Sequence, residues 1–109
     1  MLARSLRIPK KDLSRVFQKG KKVREGYLLV RTISNHFSHP RFAIIISKKV
    51  APKAVDRNRL KRKTTEILAA EQNQLNHLDI VITYQKLPQS EAEIESNIIK
   101  ALSPFMEKR

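Results

Sequence analysis

Two runs of strand-forming residues enclose one long helical segment, and this arrangement restricts the fold more than any other feature of the sequence. Residues 42–46 are entirely apolar and residues 78–84 are mostly apolar, which is typical of central strands that are covered on both faces. Residues 52–74 between them are predicted to form a helix. A strand, a helix and a second strand in this order imply that the two strands pair in parallel.

A short basic helix is predicted at residues 9–19, with Gly20 directly after it as a stop signal. Leu13, Val16 and Phe17 recur at helical spacing and form its apolar face. The other side chains of this segment are mainly Lys and Arg, so the rest of the helix surface is basic.

The strands of the N-terminal half are predicted from their β-rich composition. Residues 21–24 are expected to form a short edge strand. Residues 27–33 and 41–47 are two further runs separated by a polar turn, and this spacing predicts an antiparallel hairpin with a loose loop.

The last helix is predicted to begin at Ser90, because Glu93 three residues later completes a capping-box pattern. Pro104 is expected to break or kink this helix at Ser103. The sequence contains no linker or internal repeat. It therefore predicts an α+β fold of the α/β-sandwich type, a single domain over residues 1–109 with one small mixed sheet and the element order α-β-β-β-α-β-α.

Positive charge is concentrated in the first part of the chain. Residues 1–63 contain 19 Lys and Arg residues against three acidic residues, whereas residues 64–109 contain four against seven. A chain that is charged only for solubility would not usually segregate its charge in this way. Basic proteins of this size most often bind nucleic acid through phosphate contacts. Acidic proteins and anionic lipids are the lesser interpretations.

Several classes of protein are excluded by composition. The chain has no Cys, which rules out disulfide frameworks, thiol chemistry and Cys-based metal sites. Its longest wholly apolar run is residues 42–46, so neither a signal peptide nor a membrane span is supported. We expect a cytoplasmic protein without a membrane partner.

The basic charge peaks in residues 47–63, which hold eight of the 23 Lys and Arg residues. At about 100° per residue, the cations of the second half spread around most of a helix. Only a narrow seam through Leu60, Thr64 and Ile67 is left to rest on a core. Asn58, a poor helix former, lies between two arginines that can each engage two phosphate oxygens. This pattern favours an anionic partner over a merely solvated face, and we expect both arginines to be exposed.

Side chains for a protein active site are lacking. His36 and His39 fall in a predicted turn and His77 precedes a strand, so ordinary surface imidazoles are the favoured interpretation. With only two Gly residues, the chain also has no glycine-rich phosphate loop. A stand-alone nuclease using His36 or His77 is the least favoured alternative.

The basic stretch also carries a family resemblance. Residues 57–62 read RNRLKR and are preceded by SKKV at residues 47–50 and KAV at residues 53–55. This pattern resembles the RNR signature of the protein subunit of bacterial ribonuclease P. Residues 12–20 are similar to the first helix of that family, with its Phe and closing Gly, and residues 79–82 to its strand after the RNR helix.

The resemblance implies both a fold and a function. The implied fold is ribosomal protein S5 domain 2-like, with a left-handed β-α-β crossover. The implied holoenzyme hydrolyses a phosphodiester at the 5′ end of precursor tRNA, and its RNA subunit supplies the chemistry with Mg²⁺ bound mainly by RNA. The protein is then an accessory subunit of an endoribonuclease, with no catalytic residue of its own, and a monomer outside the ribonucleoprotein. A structural, ribosomal-type RNA-binding protein without a role in tRNA cleavage is the alternative.

Two binding roles follow from the resemblance. One surface faces the catalytic RNA, and a cleft between the sheet and the first helix holds the single-stranded 5′ leader of precursor tRNA by stacking and backbone charge. For Phe17, a core position is an equally supported alternative to a place in the cleft. The RNA-facing residues are Arg57, Asn58, Arg59, Lys61 and Arg62, flanked by Lys48, Lys49 and Lys53, and the leader-cleft residues are Phe17, Tyr27 and Tyr84.

The chain departs from the family pattern at four positions. Leu13 stands where a second Phe is common, Val30 where Tyr is frequent, and Gln85 where Arg is common. These three departures predict a changed leader affinity or sequence preference. Thr65 replaces an Arg further along the central helix, which predicts weaker or more salt-sensitive assembly with the RNA.

Overall fold

A computed structural model describes residues 6–106 of the chain and contains the predicted order of elements. The elements are α1 (Lys10–Lys19), β1 (Lys21–Glu25), β2 (Leu28–Ser34), β3 (Arg41–Ile46), α2 (Ala54–Glu71), β4 (Leu78–Tyr84) and α3 (Glu91–Leu102). Their bounds differ from the predicted ones by a few residues at most. Short 3₁₀ turns extend α2 and α3.

The four strands form one mixed sheet in the order β1-β2-β4-β3. The parallel pairing of β3 with β4 confirms the prediction from the β-α-β pattern. The left-handed sense of the crossover stays a prediction. The predicted hairpin of the second and third strands is wrong, because β4 lies between them and pairs with both. The hairpin is formed by β1 and β2.

The position of β3 also differs from the prediction of a central strand. It lies at the edge of the sheet, and three of its six residues are only half-buried. The segment before α1 covers part of this edge, because the Ile8 amide donates to the Phe42 carbonyl at 3.0 Å. The predicted central position of β4 is confirmed, since both faces of this strand are buried along most of its length.

Helices cover both faces of the sheet, but unequally. On one face, α2 and α3 enclose the main core, in which Leu28, Val30, Ile80 and Ile82 are fully buried. On the other face, α1 and the segment before it cover a smaller core around Ile8, Val16 and Val81. Among residues 6–106, this uneven coverage leaves a stretch of the sheet open beside α1.

The signals at the helix ends act mostly as predicted. The Ser90 hydroxyl accepts the Glu93 amide at 3.2 Å and begins α3, and α3 ends at Leu102 before Pro104. Gly20 ends α1 with an ordinary extended backbone rather than a left-handed one. Glycine is required there for space, since an added Cβ would lie 2.5 Å from the Val16 carbonyl oxygen.

A buried ion pair joins β3 to β4 under the loop that follows β2. Asp79 is fully buried, and its carboxylate accepts hydrogen bonds from Arg41 Nε at 2.9 Å and Arg41 Nη2 at 2.6 Å. Asn35 Nδ2 donates to the same carboxylate at 2.8 Å. Arg41 Nη2 also lies 3.2 Å from the Asp12 carboxylate of α1. This network ties the first helix and the loop to the parallel strand pair.

Candidate RNA interface

The exposed side of the first half of α2 and the loop before it form one cationic surface. We call it the RNR surface. The buried side chains of Leu60, Thr64 and Ile67 anchor the helix to the core, as the sequence predicted. The helix surface around this seam is therefore presented to solvent. The RNR surface consists of Lys48, Lys49, Lys53, Arg57, Asn58, Arg59, Lys61 and Arg62.

Within residues 6–106, no cation of the RNR surface forms a salt bridge with a carboxylate. Among residues 6–106, both salt bridges of the structure are made by Arg41, on a different element. Lys and Arg side chains at such density repel one another unless an anion neutralises them. The surface is therefore charged and unpaired, as a phosphate-binding surface requires.

Arg57 differs from the prediction that it is freely exposed. Its side chain is half-buried, and Nη1 donates to the carbonyls of Ala51 and Pro52, both at 2.9 Å. Arg59 is exposed as predicted. Arg57 thus fastens the loop that carries the three lysines to the first turns of α2, and it positions other cations in addition to carrying its own charge.

The loop before α2 is itself a compact turn. The Ser47 carbonyl accepts the amides of Val50 and Ala51, both at 3.1 Å, and Ala51 is buried. These hydrogen bonds close the turn, and the buried Ala51 fixes its end against the rest of the protein. Lys48 and Lys49 are left at its exposed tip.

A second surface lies on the α1 side of the sheet, where α1 leaves the strands uncovered. We call it the open sheet face. The strand register places Lys22 and Arg24 of β1 on this face, opposite Arg31 and Leu29 of β2, and Leu29 is opposite Thr83 of β4. Lys22 and Arg24 are exposed. The face is therefore cationic, with apolar surface between its charges.

Phe17 borders the open sheet face. Its ring is 40% exposed, so the alternative that it is a core residue is wrong. The Arg31 guanidinium carbon lies 4.9 Å from the ring centroid, within the range of a cation–π contact. Among residues 6–106, neither Arg31 Nε nor the Thr83 hydroxyl has a hydrogen-bond partner, and both are shielded from solvent. An aromatic ring and an arginine with an unpaired nitrogen therefore lie in contact on this face.

The placement of Tyr27 and Tyr84 in the leader cleft is wrong. Their rings stack on each other at 6.2 Å between centroids, and Tyr84 is only 2% exposed. Both pack against the main core, under α2 and α3. Even-numbered residues of β4 face that side, so Tyr84 points away from α1 and cannot serve as a stacking surface.

The buried hydroxyl of Tyr84 forms a hydrogen bond with Thr64 and has a raised pKa. Thr64 Oγ1 donates to the Leu60 carbonyl at 2.7 Å, so the Tyr84 hydroxyl, 2.6 Å away, must donate its own proton to Thr64 Oγ1. Burial raises the pKa of Tyr84 to about 12, although the Thr64 contact acts in the opposite direction. Tyr84 is thus a structural bond between β4 and α2.

Replacing Tyr84 with Phe removes one buried hydrogen bond and little else. We expect the free energy of unfolding to fall by about 0.5–1.5 kcal/mol, measured by urea denaturation, with no change in any binding of RNA. Weaker RNA binding by a variant of near-normal stability would show that Tyr84 contributes to an RNA-binding surface.

Two of the residues that depart from the family pattern, Val30 and Leu13, lie in the core and not on the open sheet face. Val30 is fully buried in the main core, so it cannot contact RNA on the open sheet face. Its neighbour Arg31 faces that side, and strict alternation along β2 is the signal that could have identified it. Leu13 packs into the core under α1. Gln85 is exposed after β4, and Thr65 is half-buried on α2, so the predicted effects of these two changes stay predictions.

The His residues of the stand-alone nuclease alternative lie on the protein surface. His36 and His77 are exposed in loops. Within residues 6–106, no three or more His, Cys, Asp and Glu side chains form a group that could hold a metal ion. None of the helices there is long and apolar enough to cross a bilayer.

Sequence comparison connects the chain to known proteins. A family model described as Ribonuclease P matches residues 2–106. The ribonuclease P protein component of Vesicomyosocius okutanii is 33% identical over 97 residues, which cover 88% of this chain and 86% of the relative.

Solved structures with the same fold agree. The RNase P protein of Staphylococcus aureus is 26% identical, with a TM-score of 0.84 over 91% of this chain and 94% of that one. The RNase P protein of Thermotoga maritima has a TM-score of 0.79 over 90% of this chain and 96% of its own, and at 24% identity it supports the fold alone.

Proposed function

The chain belongs to the ribonuclease P protein family, and from this premise we propose that its two cationic surfaces bind two different RNAs. As the protein component of ribonuclease P, it is the accessory subunit of an endoribonuclease, and its partner is the RNA of that enzyme. The RNR surface is assigned to this RNA. The observation that carries the assignment is a dense set of exposed cations with no carboxylate partner among the described residues.

The chemistry of the RNR surface suits a folded RNA. Arg59 and Arg62 present guanidinium groups that can each bind two phosphate oxygens, and Lys61 adds a point charge between them. Asn58 can both donate and accept hydrogen bonds. Lys48, Lys49 and Lys53 extend the surface along the preceding loop, which Arg57 holds in place.

The open sheet face is assigned to the 5′ leader of precursor tRNA. Single-stranded RNA is held by base stacking on aromatic rings and by cations that follow its backbone. Phe17 offers an exposed ring beside Arg31, and Lys22 and Arg24 supply charge on the same face. This set replaces the Phe17, Tyr27 and Tyr84 set that the sequence predicted.

Replacing Phe17 with Ala tests this assignment. Stacking contributes about 1–3 kcal/mol per base, so we expect the assembled particle to bind precursor tRNA about 5- to 150-fold more weakly. Binding of mature tRNA, which lacks the leader, should not change. Because Phe17 is largely exposed, the melting temperature should stay near that of the wild type.

The control for Phe17 is Val16→Ala, which shortens the fully buried neighbour on the same helix. This variant should melt at a lower temperature while its folded form keeps the preference for leader-containing substrate. Equal weakening of precursor and mature tRNA binding by Phe17→Ala would contradict a leader site.

The remaining features of the function follow from this division of roles. We propose that Mg²⁺ is bound mainly by the RNA subunit, supported by the lack of a carboxylate and His cluster in residues 6–106. A net charge of +13 opposes self-association, which supports a monomer outside the ribonucleoprotein. The proposed compartment is the cytoplasm. No observation favours the alternative of a purely structural RNA-binding protein.

A further inference from the structure

A second aromatic and cationic site lies in the loop between β2 and β3, which has no part in the proposed function. Phe37 is 44% exposed, and its ring stacks on His39 at 5.4 Å between centroids. The guanidinium carbon of Arg41 lies 4.7 Å from the centroid of the same ring. We call Phe37, His39 and Arg41 the Phe37 platform.

The platform is held rigidly by the buried network beneath it. The Phe37 amide donates to Asn35 Oδ1 at 3.0 Å, and Asn35 Nδ2 donates to the buried Asp79 carboxylate at 2.8 Å. Arg41 is fixed by two hydrogen bonds to the same carboxylate. An exposed ring that is already ordered loses little conformational entropy when it binds a ligand.

The surroundings of the platform are basic. Asp12 at the start of α1 contacts Arg41 at 3.2 Å, and the exposed Lys10 and Lys11 belong to the same helical turn. The backbone of the exposed Arg7 pairs with Phe42, directly after Arg41. Among the described residues, the acidic groups in contact with Arg41 are Asp12 and Asp79, and both form salt bridges with it.

We propose that the Phe37 platform stacks an unpaired nucleobase, with Lys10, Lys11 and Arg7 neutralising the adjoining phosphates. A stacked aromatic group among cations is the arrangement that binds single-stranded nucleic acid without regard to sequence. The loop lies at the end of the sheet opposite the RNR surface, about 20 Å away along the six residues of β3. The base belongs to an unpaired segment of the catalytic RNA or to the substrate RNA.

The absence of Trp from the chain provides the test. Phe37→Trp places a single fluorophore on the platform, and Ser96→Trp places one on the exposed surface of α3 as the control. We expect RNA to quench the emission of the first variant at least twofold and to leave the second nearly unchanged. Quenching by the catalytic RNA alone assigns the base to that RNA, whereas quenching only after precursor tRNA is added assigns it to the substrate.

Affinity measurements distinguish stacking from a structural role of the loop. Phe37→Ala should weaken binding of the quenching RNA about 5- to 150-fold, while Phe37→Tyr, which keeps the ring, should restore most of it. The inference rests on RNA binding by the family but not on the leader site. A particle that cleaves precursor tRNA normally while neither RNA quenches the Phe37→Trp emission would overturn the inference and leave the proposed function intact.

Discussion

Replacing Asp79 with Ala lowers the free energy of unfolding by about 3–5 kcal/mol, the usual cost of removing one partner from a buried ion pair. The variant leaves Arg41 with a buried charge whose remaining carboxylate is Asp12, and it removes the acceptor of Asn35 Nδ2. A small domain is stable by only about 5–15 kcal/mol, so this loss should be visible as a large fall in the urea midpoint. Glu95→Ala, on the exposed face of α3, is the matched control and should shift stability by less than about 0.5 kcal/mol.

The same network predicts the acid sensitivity of the protein. Burial alone would raise the pKa of Asp79, but hydrogen bonds from Arg41 and Asn35 outweigh it and lower the pKa. The hydrogen bonds to Asp79 raise the pKa of Arg41. Stability from the Asp79 carboxylate is therefore present above its unfolded pKa of about 3.9 and is lost as pH falls through its lower folded pKa. An Asp79→Ala midpoint equal to that of the wild type at neutral pH would show that the pair does not hold the sheet together.

The second large effect is expected for Arg59→Ala combined with Arg62→Ala on the RNR surface. Both side chains are exposed, so the urea midpoint should change little. Each charge-assisted hydrogen bond contributes about 1.5–3 kcal/mol, and loss of both arginines should weaken binding of the catalytic RNA roughly 100-fold or more. The slope of log K against log salt should become shallower by about 0.9 for each phosphate of a duplex that the variant no longer neutralises.

A charge-matched control separates the RNR surface from the net charge of the protein. Lys100→Ala and Lys86→Ala together also remove two positive charges, but both lie outside the RNR surface. This control should bind the RNA within about threefold of the wild type, since exposed long-range charge is screened at physiological salt. Equal weakening by the two double variants would mean that total charge, rather than the RNR surface, binds the RNA. Arg57 is left out of the test because it also holds the loop.

Helices were predictable from this sequence because their signals are local. The seam of Leu60, Thr64 and Ile67 lies within a few turns of one helix, and the Ser90 cap lies within four residues. The order of the strands in the sheet was harder to predict, because strand pairing joins residues that are far apart in the chain. The polar loop between β2 and β3 resembles a hairpin connection, and nothing in its sequence indicates that β4 lies between these two strands.

The errors in the predicted leader-binding residues arose mainly because the sequence did not show which face of the sheet each side chain lies on. Strand β4 is apolar on both faces, so composition does not reveal which way Tyr84 points. The hydroxyl contact with Thr64 depends on a helix 20 residues away in the chain. In β2 the signal was present, since Arg31 is the one charged residue in the strand and must take the more open face. The cations of the RNR surface were predictable because they are crowded into one short stretch of the chain, whereas the hydrogen bonds of Arg57 depend on the shape of the loop before α2.

The measurement that tests the account most directly is cleavage of precursor tRNA at low Mg²⁺ by a bacterial ribonuclease P RNA, with and without this protein. At low Mg²⁺, the RNA depends most on cations supplied by the protein. We expect the wild-type protein to restore cleavage and the Arg59→Ala, Arg62→Ala variant to fail at the same concentration. Restoration by the variant at much higher concentration would confirm that the loss lies in assembly. Failure of the folded wild-type protein to stimulate cleavage would contradict the account and favour a structural role in binding RNA.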